Sequence, residues 1–160
     1  MNAQIIMQDI PQVIAFGQVE KYKQIIDVIV LRMLYKISAP LYCMQTKTKK
    51  FHFNLNVYRN AHYRTLSSVK IKYKIQVHNQ IALLPQLDRI SLTYILYPKT
   101  KRRTDTTNVC CIHDKFFADA LVEHGKIPDD DYKHIIQTTY LFGKVDKENP
   151  RVEIHILKVK

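Results

Sequence analysis

Two acidic groups set among cations stand out between Lys99 and Tyr132. The stretch opens on a basic run, Lys99-Thr-Lys101-Arg102-Arg103, and reaches an isolated carboxylate at Asp105, with Asn108 following. A segment of helical spacing then carries Asp114, Lys115 and Asp119, and the stretch closes on Gly125-Lys-Ile-Pro-Asp129-Asp130-Asp131-Tyr132. Carboxylates hold hard cations such as Mg²⁺, and basic side chains hold a phosphodiester backbone. This is the mixture a metal-dependent nuclease needs. Scattered carboxylates and a solvated aspartate-rich loop give the same pattern without chemistry, and spacing alone leaves both readings open.

The charge balance points the same way. Lys+Arg number 25 against 14 Asp+Glu, a formal net charge of +11. A polyanionic partner follows, nucleic acid ahead of a membrane surface, with solvated lysine faces as the plain alternative. At 160 residues and 46% apolar content the chain is one domain, with or without an appendage, and can bury an ordinary core. Cys43, Cys110 and Cys111 make no disulfide framework, which fits a reducing compartment. Cys110-Cys111 with His113 lacks the second ligand pair of a structural zinc site, so these residues are expected in a helix core. The most apolar run, Ile25 to Leu34, is broken by Asp27 and Arg32 and falls short of the roughly 20 residues of a membrane span. No secretory signal opens the chain, so the expected location is cytoplasmic.

The elements that must position these residues are legible in part. Gln18 to Ile37 reads as a helix by its apolar face or as a strand by its β-branched cluster, and Pro40 ends either. Phe51 to Val57 alternates and suggests a strand. Leu66 to Leu84 fits both periods: Val69, Ile71, Tyr73, Ile75 and Val77 alternate, while Leu66, Val69, Tyr73, Val77 and Ile81 have helical spacing. Ile90 to Tyr97 is a strand closed by Pro98. Asn108 to His124 is a helix stopped by Gly125, with Val109, Ile112, Phe116, Phe117, Ala120 and Leu121 on its apolar arc. Asn108, Lys115 and Asp119 lie opposite, with Asp114 at the edge. Ile135 to Phe142 and Val152 to Val159 are strands. This order defines an α/β or α+β domain.

Several motifs now fall in order: Arg102-Arg-Thr-Asp105-Thr-Thr-Asn108, Asp114-Lys-Phe-Phe-Ala-Asp-Ala-Leu121 and Gly125-Lys-Ile-Pro-Asp-Asp130. Together they resemble the RusA-type Holliday-junction resolvases. The segments Leu55-Asn-Val-Tyr-Arg-Asn-Ala-His-Tyr63 and Val145-Asp-Lys-Glu-Asn-Pro-Arg-Val-Glu-Ile154 are similar to the phage-borne branch of that family, and the likeness runs from about Lys49 to Val159. The resemblance implies a mixed sheet with two main helices packed on it, and a helix after Leu66. It also implies a homodimeric endonuclease that binds branched DNA, needs Mg²⁺ or Mn²⁺ and no small-molecule cofactor, and cuts four-way junctions symmetrically in the cytoplasm, the host's if phage-encoded. On the family pattern the metal-binding aspartates fall on Asp105 and Asp130, and the catalytic lysine on Lys115. The family's second aspartate is Thr107 here. Asn108 and Asp114 are the candidate replacements, Asp114 first because an extra helical turn supplies it.

On this reading Asp105 and Asp130 share the metal, and Lys115 neutralises developing charge or assists the leaving oxygen. Asp119 orients Lys115 by an i,i+4 contact or is merely solvated. Arg59, His62, Arg64, Lys99, Lys101, Arg102 and Arg103 are candidates for backbone contacts. Tyr58 and Tyr63 either stack on opened bases or sit half-buried in the core, the commoner fate. His52, His113, His124 and His134 have no spacing that suggests catalysis. Residues 1–43 lie outside the likeness and are expected as an N-terminal extension, with a nuclease domain over 44–160. The alternative function is a non-catalytic protein that binds branched or single-stranded DNA through the same basic surface.

Overall fold

The computed structural model describes residues 34–159. The reading of Gln18 to Ile37 lies mostly outside these residues; its end, from Leu34, is strand. Strands β1 (Leu34–Pro40), β4 (Arg89–Tyr97), β5 (Ile135–Phe142) and β6 (Arg151–Val159) form one mixed sheet in the order β1-β6-β4-β5. The β4–β5 pair is parallel and the other two are antiparallel. A short hairpin, β2 (Tyr42–Met44) and β3 (Lys50–His52), is separate from it. Helices α1 (Leu55–Arg59), α2 (Tyr63–Ala82) and α3 (Thr106–Glu123) complete an α+β fold with two main helices on the sheet. No helix among the described residues is long and apolar enough to cross a membrane.

The sheet buries one face. Ile90, Leu92, Tyr94 and Leu96 of β4 alternate inward with Val152, Ile154 and Ile156 of β6. Against them lies the apolar arc of α3, where Val109, Ile112, Phe116, Phe117, Ala120 and Leu121 are all buried. Gly125, at φ 61°, stands just past the helix, and the amide of Lys126 returns to the Leu121 carbonyl at 2.9 Å. In the doubtful stretch the helical period prevails. Val69, Tyr73, Val77 and Ile81 are buried along α2, whereas Ile71 and Ile75, which a strand would place beside them, are 59% and 68% exposed.

Two expectations are corrected. The alternation from Phe51 to Val57 gives only the short β3, because the Asn54 side chain accepts the Asn56 amide at 2.9 Å and caps α1. An asparagine that bonds the next turn competes with strand pairing. The domain boundary expected at Met44 falls inside the compact unit Leu34–Lys160. Strand β1 pairs with β6 from Leu34↔Leu157 to Pro40↔Arg151, and its Ile37 and Ala39 are buried in the core. A sheet strand that fills core volume is no appendage.

Candidate functional site

Helix α3 carries Asp114 at the margin of its buried face. The parallel register sets Tyr94 of β4 beside Tyr140 of β5. The Tyr94 hydroxyl donates to Asp114 Oδ1 at 3.0 Å and the Tyr140 hydroxyl donates to Oδ2 at 2.9 Å. Both carboxylate oxygens are thereby aimed, and α3 is tied to two strands. Burial raises the Asp114 pKa, the two tyrosine hydrogen bonds oppose that rise, and the negative charge of Asp130 adds to it. Sequence reasoning missed Tyr94 and Tyr140. Their pairing is a property of strand register, which no local pattern encodes.

A cavity of about 280 Å³ opens beside this carboxylate. Asp114 and Lys115 line it from α3, Asp130, Asp131 and Tyr132 from the following loop, and Thr138 from β5. The three loop aspartates differ in employment. Asp131 Oδ1 accepts the amides of Lys133 and His134, and Asp129 Oδ1 accepts that of Asp130. The Asp130 carboxylate is exposed and makes no hydrogen bond or ion pair with any described residue. Lys115 is likewise exposed and unpaired among the described residues. One oriented carboxylate, one free carboxylate and one free ammonium therefore face one opening.

Asp105 is elsewhere. It is the N-cap of α3: Oδ1 accepts the Asn108 amide at 3.2 Å and Oδ2 accepts the Asn108 side-chain amide at 2.8 Å. Asp114 lies nine positions further along the chain, a helical rise of about 13 Å. That is too far for one ion to touch both. The structure thus brings Asp130 together with Asp114 and Lys115, and leaves Asp105 and Asn108 at the far end of the helix. Asp105→Ala is expected to cost about 1 kcal/mol in urea unfolding, and Asp105→Ser to restore most of it. A serine variant as unstable as the alanine one would refute the capping role.

Asp119 does not orient Lys115 but pairs with Lys70 of α2 at 2.5 Å. The cations expected to meet DNA are exposed. Arg59, His62 and Arg64 lie around the start of α2, and Lys99, Lys101, Arg102 and Arg103 in the loop that leads to α3. None of these seven forms an ion pair with a carboxylate among the described residues. Arg59 lies close enough to α3 for its charge to act on Cys111. Tyr58 is half-buried and packs edge-on to Phe116, 6.0 Å between centroids, whereas Tyr63 is 65% exposed.

Cys110 and His113 belong to the core. Burial pushes the Cys110 thiol up to about 12 and the His113 imidazole down to about 3. His113 Nδ1 lies 3.3 Å from the Tyr73 hydroxyl, and its Nε2 is buried without a partner among the described residues. The native state holds this ring neutral, while the unfolded chain protonates it below about pH 6.5. Its contribution is therefore complete above that pH and declines as pH falls toward 3, by about 1.4 kcal/mol per unit. Urea unfolding at pH 7 and pH 5 should show a loss that His113→Leu reduces by about 2 kcal/mol. Equal losses in both proteins would place the pH sensitivity in other groups.

The described residues define an α+β protein with exposed cations and a small carboxylate-and-lysine cavity. No family model matches the chain, and no curated protein matches it.

Proposed function

We propose that the protein is a Mg²⁺- or Mn²⁺-dependent, structure-selective endodeoxyribonuclease of the RusA type, acting in the cytoplasm on four-way DNA junctions in recombination and repair. The observation that carries this reading is the meeting of Asp114, Lys115 and Asp130 at one cavity. Among the described residues no three His, Cys, Asp or Glu form a metal cage. Two carboxylates still suit Mg²⁺, which keeps several waters and takes only one or two protein carboxylates beside substrate phosphate. Asp114 and Asp130 would hold the ion, which when bound supplies Lewis acidity and a water of lowered pKa.

The chain's own groups do the rest. The tyrosine pair keeps Asp114 in one orientation, the outer-shell support a metal-binding carboxylate needs. Lys115 places a cation where charge develops on the phosphoryl oxygens or the leaving oxygen. Lys99, Lys101, Arg102 and Arg103, with Arg59, His62 and Arg64, hold the backbone independently of sequence. A homodimer suits a substrate with two equivalent strands. Strand β5 is an edge strand with no charged residue from Ile135 to Phe142, so a second copy meets little self-repulsion there.

A second reading has its own observation. Both oxygens of Asp105 are used in capping, and Thr107 stands where the family has an aspartate. A non-catalytic protein that binds branched or single-stranded DNA would have these features. Incubating a labelled four-way junction with the protein, with and without Mg²⁺ or Mn²⁺, separates the two. Symmetric nicks that require metal support the resolvase; tight binding without cuts in either metal leaves the binding protein. Duplex, single-stranded and RNA competitors test the choice of substrate.

A further inference from the structure

A second cavity, of about 550 Å³, lies between the β2–β3 hairpin and the start of the helices. Lys49 and Lys50 line it from the hairpin, Asn56 and Asn60 from the α1 region, and His62 and Thr65 from the start of α2. No carboxylate among the described residues lines it. Lys49 and Lys50 are exposed, and neither has an acidic partner among the described residues. The Lys50 ammonium stands 4.2 Å over the Tyr42 ring. The hairpin wall is fixed: Lys72 of α2 donates to the carbonyls of Met44 at 2.7 Å and Gln45 at 2.9 Å. The Gln45 amide closes the turn on the Lys49 carbonyl at 2.8 Å.

An exposed aromatic residue comes directly after the cavity-lining His62 in the chain. This is Tyr63, which is 65% exposed. It is braced by its two chain neighbours. The His62 ring lies 4.4 Å from its centroid, and Arg64 Nε donates to the Tyr63 hydroxyl at 3.2 Å. A large aromatic ring held out in water by its neighbours contributes nothing to the core. Beside unpaired cations and amide donors it suits a ligand that carries phosphates and flat π-faces together. Duplex DNA offers the phosphates but keeps its bases stacked inside. A single strand offers both.

We infer that this groove binds single-stranded DNA, with phosphates at Lys49, Lys50 and His62 and an unpaired base stacked on Tyr63. The inference rests on the DNA-binding half of the proposed function and not on cleavage. In that setting the groove would hold a strand opened at a branch point.

Fluorescence anisotropy tests it with the full-length chain, EDTA present, and a labelled oligothymidylate beside a duplex of equal length. Tyr63→Ala is expected to weaken the single strand about tenfold and to leave the duplex within about twofold, with Tyr63→Phe restoring the affinity. Lys49→Ala/Lys50→Ala is expected to lower the salt slope for the single strand by about 1.4, at about 0.7 for each phosphate that is no longer neutralised. If the parent binds DNA and neither variant changes the single-strand affinity or slope, the groove assignment is wrong while the DNA-binding reading stands. If the parent binds neither oligonucleotide, that reading falls and the groove assignment falls with it.

Discussion

Asp130→Asn is expected to slow metal-dependent cleavage of a four-way junction by about 10²- to 10³-fold while leaving DNA binding in EDTA intact. The magnitude is that of losing one preorganised group that stabilises transition-state charge, at about 1.36 kcal/mol for each tenfold in rate. Asp130 is well suited to the test. Its carboxylate is exposed and makes no hydrogen bond or ion pair with a described residue, so replacing it should move stability by no more than about 0.5 kcal/mol. If the proposed DNA partner is right, removing this negative charge should tighten binding at low salt. Asp114→Asn is the harder comparison, because an amide cannot accept both tyrosine hydroxyls on carboxylate oxygens. Single-turnover cleavage with saturating protein reads the chemical step directly. An Asp130→Asn protein that cuts at the parent rate would remove Asp130 from the site, and with it the proposed metal position.

The largest expected effect on stability is at Phe53. Its ring is 1% exposed and meets Tyr73 at 5.2 Å, His113 at 5.3 Å, Phe116 at 6.1 Å and Phe51 at 6.2 Å between centroids. Its backbone amide donates to the Leu41 carbonyl at 3.0 Å. One side chain thus joins the hairpin to both long helices. Phe53→Ala deletes that ring from a packed aromatic cluster and should cost about 3–5 kcal/mol in urea unfolding. That is a large share of the roughly 5–15 kcal/mol typical of a domain, so the variant should melt far below the parent. Phe53→Leu should cost clearly less, since it leaves a smaller cavity. A loss below about 1 kcal/mol for the alanine variant would mean that the cluster is not packed as described.

Much of the fold was readable because its signals are local. The alternation of β4 and β6 and the 3.6-residue arc of α3 each follow from residues within one segment. Leu66 to Leu84 was ambiguous because Val69, Tyr73 and Val77 satisfy both periods, and only the exposure of Ile71 and Ile75 separates them. The strand expected through Val57 failed at Asn54, where a single cap outweighed the alternating residues around it.

The candidate site was half readable. By itself the sequence determined the chemistry on offer: an excess of cations, carboxylates at Asp105, Asp114 and Asp130, and Lys115, on or beside an amphipathic helix. Residue type and local period suffice for that. The tertiary structure alone decided which of them meet. The rise of α3 puts Asp105 about 13 Å from Asp114, and the loop after Gly125 sets Asp130 by Asp114 and Lys115. The β4–β5 register brings Tyr94 and Tyr140 to one carboxylate, and the fixed hairpin sets Lys49 and Lys50 across a groove from His62. These residues lie far apart in the chain and are brought together by how helix and strands pack, and no local spacing carries that information.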